Sequence, residues 1–164
     1  MKKKISILGS TGSIGLSVIE IIEKKKNFFK PYIFSANKNI KLINKQIKKY
    51  NPNFYIVTDN KIYKKIKEKN KNKTTKILNN FNLINKKKSD ITISAIPGIS
   101  GLEPTLQMIS NSKKILIANK ESVICGWNLI KKKALKSKTK IIPIDSEHFS
   151  ICKLLKNHKL NEIK

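Results

Sequence analysis

The amino-acid sequence predicts an α/β protein with a doubly wound, mostly parallel sheet and helices on both faces. Short apolar runs alternate along the chain with segments whose apolar residues recur at helical spacing, and this alternation indicates consecutive βαβ units. The length of 164 residues suits one domain with its own core and is too short for two full domains. A glycine-rich stretch, ILGSTGSIG, joins the first apolar run to the first helical segment. Together these features predict a Rossmann-like fold.

The individual elements follow from the same patterns in chain order. Six apolar runs are predicted as strands: Ile5–Leu8, Tyr32–Ala36, Phe54–Val57, Ile91–Ala95, Ile115–Ala118 and Ile141–Ile144. Five segments with helical spacing are predicted as helices: Ser13–Lys25, Ile40–Lys49, Lys61–Lys69, Leu102–Asn111 and Glu121–Lys136. The Lys/Asn-rich stretch Lys61–Lys88 is interpreted as a solvated helix and surface loops, with a weak additional strand near Lys76–Leu78. Trp127 and Tyr50 are interpreted as packing residues.

The charge of the chain is strongly positive, with 36 basic against 10 acidic residues and a formal net charge of +26. Every basic residue is lysine, and isoleucine and asparagine are also abundant, a bias typical of AT-rich coding sequences. Such a charge attracts nucleic acid non-specifically. Nucleic-acid sites, however, group basic residues on one face among aromatics or arginines, whereas these lysines spread over every predicted helix and loop. Nucleic-acid binding is therefore a less favoured alternative.

Cysteine usage and hydropathy predict a soluble, cytoplasmic protein. The two cysteines, Cys125 and Cys152, lie far apart and in no metal-ligand spacing, as expected for reduced thiols. No apolar run approaches the roughly 18 residues that a membrane span needs. The N-terminus passes from MKKK directly into a strand that the fold requires, so we expect no signal peptide and no contact with a membrane.

Five unusual loops follow predicted strands. They are GSTGSIG at 9–15, NKN at 37–39, PGISG at 97–101, NKES at 119–122 and DSEH at 145–148. In open parallel sheets, ligands bind beyond the carboxyl ends of the strands. We therefore expect all five loops to meet at one edge of the sheet and to form a ligand-binding cleft there.

The first of these loops has the features of a phosphate-binding turn. Gly9 permits a tight turn, Gly12 lets the backbone approach a ligand, and Gly15 lets the following helix pack close to the strand. The free N–H groups at the helix N-terminus would face a pyrophosphate, with hydroxyl donors from Thr11 and Ser13. The alternative is a glycine-rich connection without a ligand. The position between a strand and an apolar helix favours dinucleotide binding.

The loop after the second strand indicates which dinucleotide is bound. NAD-binding sites place Asp or Glu at the end of this strand to hold the ribose 2′-hydroxyl. This sequence has SANKN there, with Lys38 and no acid. A carboxylate would repel a 2′-phosphate, whereas lysine and asparagine can hold one, so the sequence favours NADP(H).

The last two loops admit both functional and structural interpretations. Asp145 and Glu147 offer hard oxygen ligands for Mg²⁺ or Mn²⁺, but Asp145 or Ser146 as a helix N-cap is equally compatible with the spacing. Lys120 would suit a polar substrate, and Glu121 either caps the next helix or holds a ribose. We expect His148 in the first turn of the last helix, without a catalytic role.

Three motifs, ILGSTGSIG, ANKES and PIDSEH, in this order and at these intervals closely resemble those of the 1-deoxy-D-xylulose 5-phosphate reductoisomerase family. The segment GLEPTL at Gly101–Leu106 also resembles the family, and the resemblance runs over essentially the whole chain. Other glycine-loop dehydrogenases, such as aspartate-semialdehyde dehydrogenase, share the first motif but not NKES followed by DSEH. The resemblance is therefore specific.

The resemblance implies NADPH as cofactor, Mg²⁺ or Mn²⁺ as metal, a sugar-phosphate substrate and a homodimer. It implies a role at each matching position: pyrophosphate contacts by Thr11, Gly12, Ser13 and Ile14; contacts with the 2′-phosphate end by Asn37, Lys38 and Asn39; nicotinamide-side contacts by Asn119 and Glu121; substrate contacts by Lys120 and Ser146; metal ligation by Asp145 and Glu147. Lys120, Asp145 and Glu147 form the implied catalytic set. The family often has glycine where Asn37 stands.

The implied reaction rearranges and reduces 1-deoxy-D-xylulose 5-phosphate to 2-C-methyl-D-erythritol 4-phosphate, in the non-mevalonate route to isoprenoid precursors. Family members are considerably longer than this chain. We therefore expect residues 1–144 to be an NADP(H)-binding domain and residues 145–164 the truncated start of the catalytic domain. The third metal carboxylate, the substrate-phosphate site and most dimer contacts would then be missing, leaving little activity. The alternative is a non-catalytic dinucleotide-binding remnant.

Overall fold

The computed structural model describes residues 1–84 and 88–155, apart from the side chains of Glu147, His148 and Cys152. Its strands are β1 (Lys3–Leu8), β2 (Phe29–Ala36), β3 (Phe54–Val57), β4 (Lys76–Leu78), β5 (Ser89–Ser94), β6 (Ser112–Ile117) and β7 (Lys140–Pro143). Its helices are α1 (Ser13–Lys24), α2 (Ile40–Tyr50), α3 (Asn60–Lys69), α4 (Leu102–Ile109), α5 (Lys120–Ser137) and α6 (Ser146–Leu155). Short 3-10 turns at Phe81–Ile84 and Ile99–Gly101 precede β5 and α4.

The strands form a single seven-stranded sheet in the order β4-β3-β2-β1-β5-β6-β7. All six strand pairings within the described residues are parallel. The chain runs outward from β1 to β4, returns to the centre at β5 and runs outward again to β7. The strand order therefore reverses between β1 and β5, and a crevice opens at this point beyond the carboxyl ends of the strands.

Helices cover both faces of the sheet because successive residues of a strand point to opposite faces. Ile7 packs on one face in a core cluster that includes residues of α1, α2 and α3. Its neighbour Leu8 packs on the other face, in a cluster that includes residues of α4 and α5. Both side chains are fully buried. The predicted doubly wound architecture is confirmed, and the sheet is parallel throughout the described pairings.

Strands β5 and β6 begin earlier than the apolar patterns predicted, because Ser89 and Ser112 at their amino ends are buried and paired. The hydroxyl of Ser6 lies 2.6 Å from that of Ser89, and the hydroxyl of Thr92 lies 2.6 Å from that of Ser112. These pairs give hydrogen-bond partners to hydroxyls at buried positions. The weak strand predicted at Lys76–Leu78 is present as β4. Part of the predicted surface loop, residues 85–87, lies outside the described residues.

The interpretation of Trp127 as a packing residue is wrong, since its side chain is 45% exposed. The buried residues of α5 recur every four positions, at Ser122, Gly126, Ile130 and Ala134. Trp127 follows Gly126 by one residue, which turns its side chain about 100° away from this stripe. Within the described residues, none of the helices combines the length and the apolar character that crossing a membrane requires.

Candidate functional site

Residues from all five unusual loops line two adjoining cavities at the carboxyl edge of the sheet. The β2-side cavity, about 490 Å³, lies at the ends of β2, β1 and β5; the β6-side cavity, about 630 Å³, lies at the ends of β1, β5, β6 and β7. The two cavities share Gly12, Ala95, Ile96 and Pro97 in their walls. The predicted cleft is therefore present, and the loop after β1 lies at its centre.

The glycine turn after β1 owes its shape to the absence of side chains at Gly9 and Gly15. Gly9 has φ +82°, and a Cβ there would lie 2.8 Å from the carbonyl oxygen of Ala95 in the neighbouring loop. A Cβ at Gly15 would lie 2.7 Å from the Cα of Ser10 and closer still to the carbonyl oxygen of Gly9. Close packing of α1 against this turn therefore requires glycine. At Gly12 the nearest atom to a Cβ would be the Gly9 carbonyl oxygen, at 3.5 Å, so the turn leaves open space on that side.

Helix α1 begins without a side-chain cap. Its N-cap residue is Gly12, which has no side chain to accept a hydrogen bond, and no side-chain cap is found there among the described residues. Helices α2, α3 and α5, in contrast, have Asn39, Asp59 and Asn119 as N-cap residues, and each side chain accepts a bond from an N–H of the first turn. Helix α4, whose N-cap residue is Gly101, also lacks a side-chain cap within the described part of the chain. The exposed first turn of α1, at Ser13 and Ile14, contributes to the β6-side cavity. Unsatisfied helix N–H groups with the positive end of the helix dipole form an anion-binding position.

A buried polar network behind the glycine turn was not anticipated from the sequence. The Gln46 side chain donates from Nε2 to the Ser10 carbonyl at 2.8 Å and accepts from the Ser10 hydroxyl at 2.7 Å. The Tyr55 hydroxyl donates to the Gln46 Oε1 at 2.6 Å, and burial raises the pKa of Tyr55 well above its ordinary value. Gln46 follows Ile43 by three residues on the apolar side of α2, and this buried position of an amide was the available signal.

The three residues predicted to hold a 2′-phosphate are placed differently. Asn37 lies in the wall of the β2-side cavity. Lys38 is exposed and follows it directly in the chain. Asn39 caps α2, since its Oδ1 accepts from the Leu42 N–H at 3.1 Å. The structure thus brings Asn37 to the cleft, whereas the Oδ1 of Asn39 is engaged within the protein.

Asn119 connects the loop after β5 to the start of α5. The side chain is buried, its Oδ1 accepts from the Ser122 N–H at 2.9 Å, and its Nδ2 donates to the carbonyl oxygens of Ile96 and, at 2.7 Å, Gly98. A Cβ at Gly101 would lie 2.5 Å from this Nδ2, so the loop also needs glycine there. Asn119 lies in the wall of the β6-side cavity, as predicted, but its side chain is engaged in holding that wall together.

The remaining predicted residues gather on the far side of the β6-side cavity. Lys120 and Glu121, both exposed, share its wall with Asp145 and Ser146. The side chain of Glu147, the second predicted metal ligand, lies outside the described part of the chain, as does that of His148. Among the described residues, no group of three His, Cys, Asp or Glu side chains is arranged to hold a metal ion.

Comparison with known proteins identifies the family. The family model described as 1-deoxy-D-xylulose 5-phosphate reductoisomerase matches residues 5–126. The Pelagibacter ubique protein of that name is 48% identical over 167 residues, which cover 99% of this chain and 43% of that protein. The Wolbachia pipientis wMel protein of the same name is 39% identical over 94% of this chain and 40% of its own length.

A solved structure shows the same fold. The reductoisomerase from Zymomonas mobilis, in complex with NADPH, superposes with a TM-score of 0.82 at 28% identity and covers 90% of this chain and 40% of that one. The chain thus spans less than half the length of the relatives it matches. Because the family model covers most of the chain and the loops quoted above meet in one cleft, the chain belongs to the 1-deoxy-D-xylulose 5-phosphate reductoisomerase family.

Proposed function

We propose that the cleft binds NADPH with its pyrophosphate at the N-terminus of α1. The observation that carries this proposal is the uncapped first turn of α1, which lies where the strand order reverses and where the two cavities meet. In this position the N–H groups of Ser13 and Ile14 and the hydroxyl of Thr11 are available to phosphate oxygens. The Zymomonas mobilis relative, whose complex contains NADPH, supports the same cofactor.

The adenosine end of NADPH would occupy the β2-side cavity. Asn37 and Lys38 then lie beside the 2′-phosphate, and the backbone at Asn39 completes the loop around it. No carboxylate is present in the segment 35–40 to repel a 2′-phosphate. Lys38 is the one charged group of this loop, so it is the residue on which discrimination between NADPH and NADH would depend.

The nicotinamide end and the substrate would share the β6-side cavity. We infer that the chain takes part in the NADPH-dependent conversion of 1-deoxy-D-xylulose 5-phosphate to 2-C-methyl-D-erythritol 4-phosphate. Lys120 and Ser146 would contact the sugar phosphate, and Glu121 and Asn119 would lie beside the nicotinamide half. This arrangement corresponds to a dinucleotide-binding part, residues 1–144, followed by the first residues of a catalytic part.

A divalent metal would be held by Asp145 and Glu147. The carboxylate of Asp145 lies at the wall of the β6-side cavity and has the donor chemistry that Mg²⁺ or Mn²⁺ prefers. When bound, such a metal would polarise the substrate oxygens as a Lewis acid. Because two carboxylates fill only part of an octahedral shell, we expect Mn²⁺ to bind this chain weakly and Asp145→Asn to weaken it little further. Tight binding in a Mn²⁺ titration of the unaltered chain would show that the argument from the incomplete shell is wrong.

Calorimetric titration with NADPH and NADH tests the cofactor proposal. We expect NADPH to bind more tightly than NADH, and Lys38→Ala to weaken NADPH by about tenfold, or about 1.4 kcal/mol, while leaving NADH unchanged. Lys41→Ala is the matched control, because it removes the same charge from an exposed position on the first turn of α2. Failure of NADPH to bind at millimolar concentration contradicts the proposal. Salt-sensitive binding to arbitrary DNA without NADPH binding would favour the nucleic-acid alternative instead.

We also infer a cytoplasmic location and, for the family, a homodimer whose contacts lie largely outside this chain. NADPH and a sugar phosphate are dissolved metabolites, which supports a location where both are available. Sedimentation equilibrium measures the assembly, and fractionation of the source cells measures the location. We expect this chain by itself to be mainly monomeric. A stable dimer, or recovery of the protein with the membranes, would contradict the respective inference.

A further inference from the structure

Gln46 makes contacts that are unusual for a residue on the apolar side of a helix. Its carboxamide makes two hydrogen bonds to one residue of the glycine turn, Ser10. The amide nitrogen donates to the Ser10 carbonyl at 2.8 Å, and the amide oxygen accepts from the Ser10 hydroxyl at 2.7 Å. The same oxygen accepts from the Tyr55 hydroxyl at 2.6 Å. Ser10, in the turn between β1 and α1, is thus held by a side chain of α2.

The contacts of Gln46 are fully withdrawn from solvent. Gln46 is 3% exposed, and Ser10 and Tyr55 are 0% exposed. The neighbouring buried residues of α2, Ile43 and Ile47, are apolar, and an apolar side chain would serve equally well to bury this face of the helix. An apolar residue would, however, leave the Ser10 carbonyl without its donor. The polar side chain therefore supplies hydrogen bonds to the turn, which burying this face of the helix would not require.

That contribution is the fixed position of the glycine turn. On the other side of the turn, the Ser10 N–H donates to the Ser35 carbonyl at 2.7 Å, and the Gly9 N–H donates to the Ser35 hydroxyl at 3.1 Å. With Gln46 holding the carbonyl and hydroxyl of Ser10, the turn is fixed by β2 and α2 together. The Gly12 N–H then donates back to the Gly9 carbonyl at 3.1 Å, which sets where α1 begins.

We propose that Gln46 is a positioning residue for the dinucleotide pyrophosphate: by clamping Ser10 it aims the uncapped amides of α1 into the cleft. The proposal rests on the proposed binding of NADPH at this turn. Gln46 lies behind the turn and lines neither cavity, so it would not touch the dinucleotide itself. Its effect is on the direction of N–H groups, to which a bound phosphate is sensitive.

The first test removes the clamp while preserving the apolar bulk. Gln46→Met keeps an unbranched side chain of similar length and loses all three contacts. We expect NADP⁺ to bind about tenfold more weakly in calorimetric titration, whereas adenosine 2′-monophosphate, which lacks the pyrophosphate, binds with about unchanged affinity. Ser6→Ala is the matched control, because it removes one buried hydroxyl contact on β1 away from the turn. It should lower the thermal midpoint without changing NADP⁺ affinity.

A second test restores the donor by protonation. In Gln46→Glu the ionised carboxylate cannot donate to the Ser10 carbonyl, but the neutral acid can. Burial raises the pKa of a carboxyl at this position, and Tyr55, the titratable side chain in contact with it, stays neutral. We expect NADP⁺ affinity, relative to the unaltered chain at each pH, to recover between about pH 8 and about pH 5. The same ratio for Gln46→Met should stay constant.

Tyr55→Phe completes the series. It removes the Tyr55 hydroxyl from Gln46 and from the Ser10 hydroxyl, 3.0 Å away, but leaves both contacts between Gln46 and Ser10 in place, so it should retain NADP⁺ affinity. If the unaltered chain does not bind NADP⁺, the proposed function itself fails. If it binds and Gln46→Met binds equally well, the positioning role is overturned. Should Gln46→Met fail to fold, a flat pH profile of Gln46→Glu overturns the proposal by itself. Loss of adenosine 2′-monophosphate binding in parallel would also overturn it, since that result indicates general disruption.

Discussion

Helices α1 and α5 begin at the same edge of the sheet, but their first turns are completed in different ways. Helix α1 starts after Gly12 and has no side-chain cap among the described residues, whereas α5 starts after Asn119, whose Oδ1 accepts from the Ser122 N–H. Both first turns lie in the wall of the β6-side cavity. The protein thus supplies a side-chain acceptor for the first-turn N–H groups of α5 but none for those of α1 among the described residues.

The difference separates the binding role that we propose for one loop from the structural role of the other. At α1, Gly15 and Gly12 allow close packing and leave amides exposed, which suits a phosphate. At α5, every polar group of the Asn119 side chain is engaged, with the carbonyls of Ile96 and Gly98 as acceptors. Two motifs that look alike as polar loops after strands therefore act differently: one presents its backbone and the other braces a neighbouring loop.

Gly15→Ala, in the first turn of α1, should lower the free energy of unfolding more than any other substitution considered. The new Cβ would overlap the Gly9 carbonyl oxygen and the Ser10 Cα, and both are backbone atoms that cannot rotate away. We expect a loss of about 3 kcal/mol in the free energy of unfolding, even after the roughly 1 kcal/mol that alanine contributes to a helix. Urea denaturation followed by circular dichroism measures this. A stability equal to that of the unaltered chain would show that the turn is not tightly packed.

Asn119→Ala should have the next largest effect, through the α5 side. It removes the cap of α5 and leaves the carbonyls of Ile96 and Gly98 without their donor, so we expect a loss of about 2 kcal/mol. Asn119→Ser is the matched control, because a serine hydroxyl can cap the helix but does not carry the two amide donors. If Asn119→Ser is as stable as the unaltered chain, Asn119 acts as a cap alone; if it is as unstable as Asn119→Ala, the amide bonds account for the whole loss.

Much of the fold and the position of the cleft were predictable from the sequence. The alternation of apolar runs and helical segments predicted the doubly wound sheet, and even the short strand Lys76–Leu78 was found where its apolar residues indicated. The glycine roles were predictable because a tight turn and a close helix contact have few other solutions. The five loops were expected at one edge because parallel strands end at the same side.

The parts that were not predictable depend on contacts between residues distant in sequence. Gln46 reaches Ser10 across 36 positions, and Asn119 reaches Ile96 across 23. Contacts over such separations leave no local sequence pattern. An asparagine that stabilises a loop therefore cannot be distinguished in the sequence from one that contacts a cofactor. The exposure of Trp127 also depends on a distant residue. Its neighbour Gly126 is the α5 residue that packs closely against Leu102, and Trp127 points away from this contact.

Gly12→Ala tests whether the open start of α1 serves ligand binding and not packing. A Cβ at this position meets nothing closer than 3.5 Å, so the free energy of unfolding should change by less than about 0.5 kcal/mol. The same Cβ would extend toward the space that the pyrophosphate requires, and NADPH affinity should fall by about tenfold. Calorimetric titration and urea denaturation of the same preparation separate the two quantities. Loss of stability without loss of affinity would assign Gly12 to packing.

Asn39→Ala should destabilise the protein less than Gly15→Ala or Asn119→Ala, and it sets the scale for an ordinary cap. The Asn39 side chain accepts from the Leu42 N–H at 3.1 Å at an exposed position, so its removal should lower the free energy of unfolding by about 1 kcal/mol. The excess loss in Asn119→Ala over Asn39→Ala then measures what the two amide bonds to the loop after β5 contribute. If the two variants lose the same free energy, α5 is capped no more strongly than α2. The contrast between α1 and α5 would then consist of the cap alone, without the added bracing of the cleft wall.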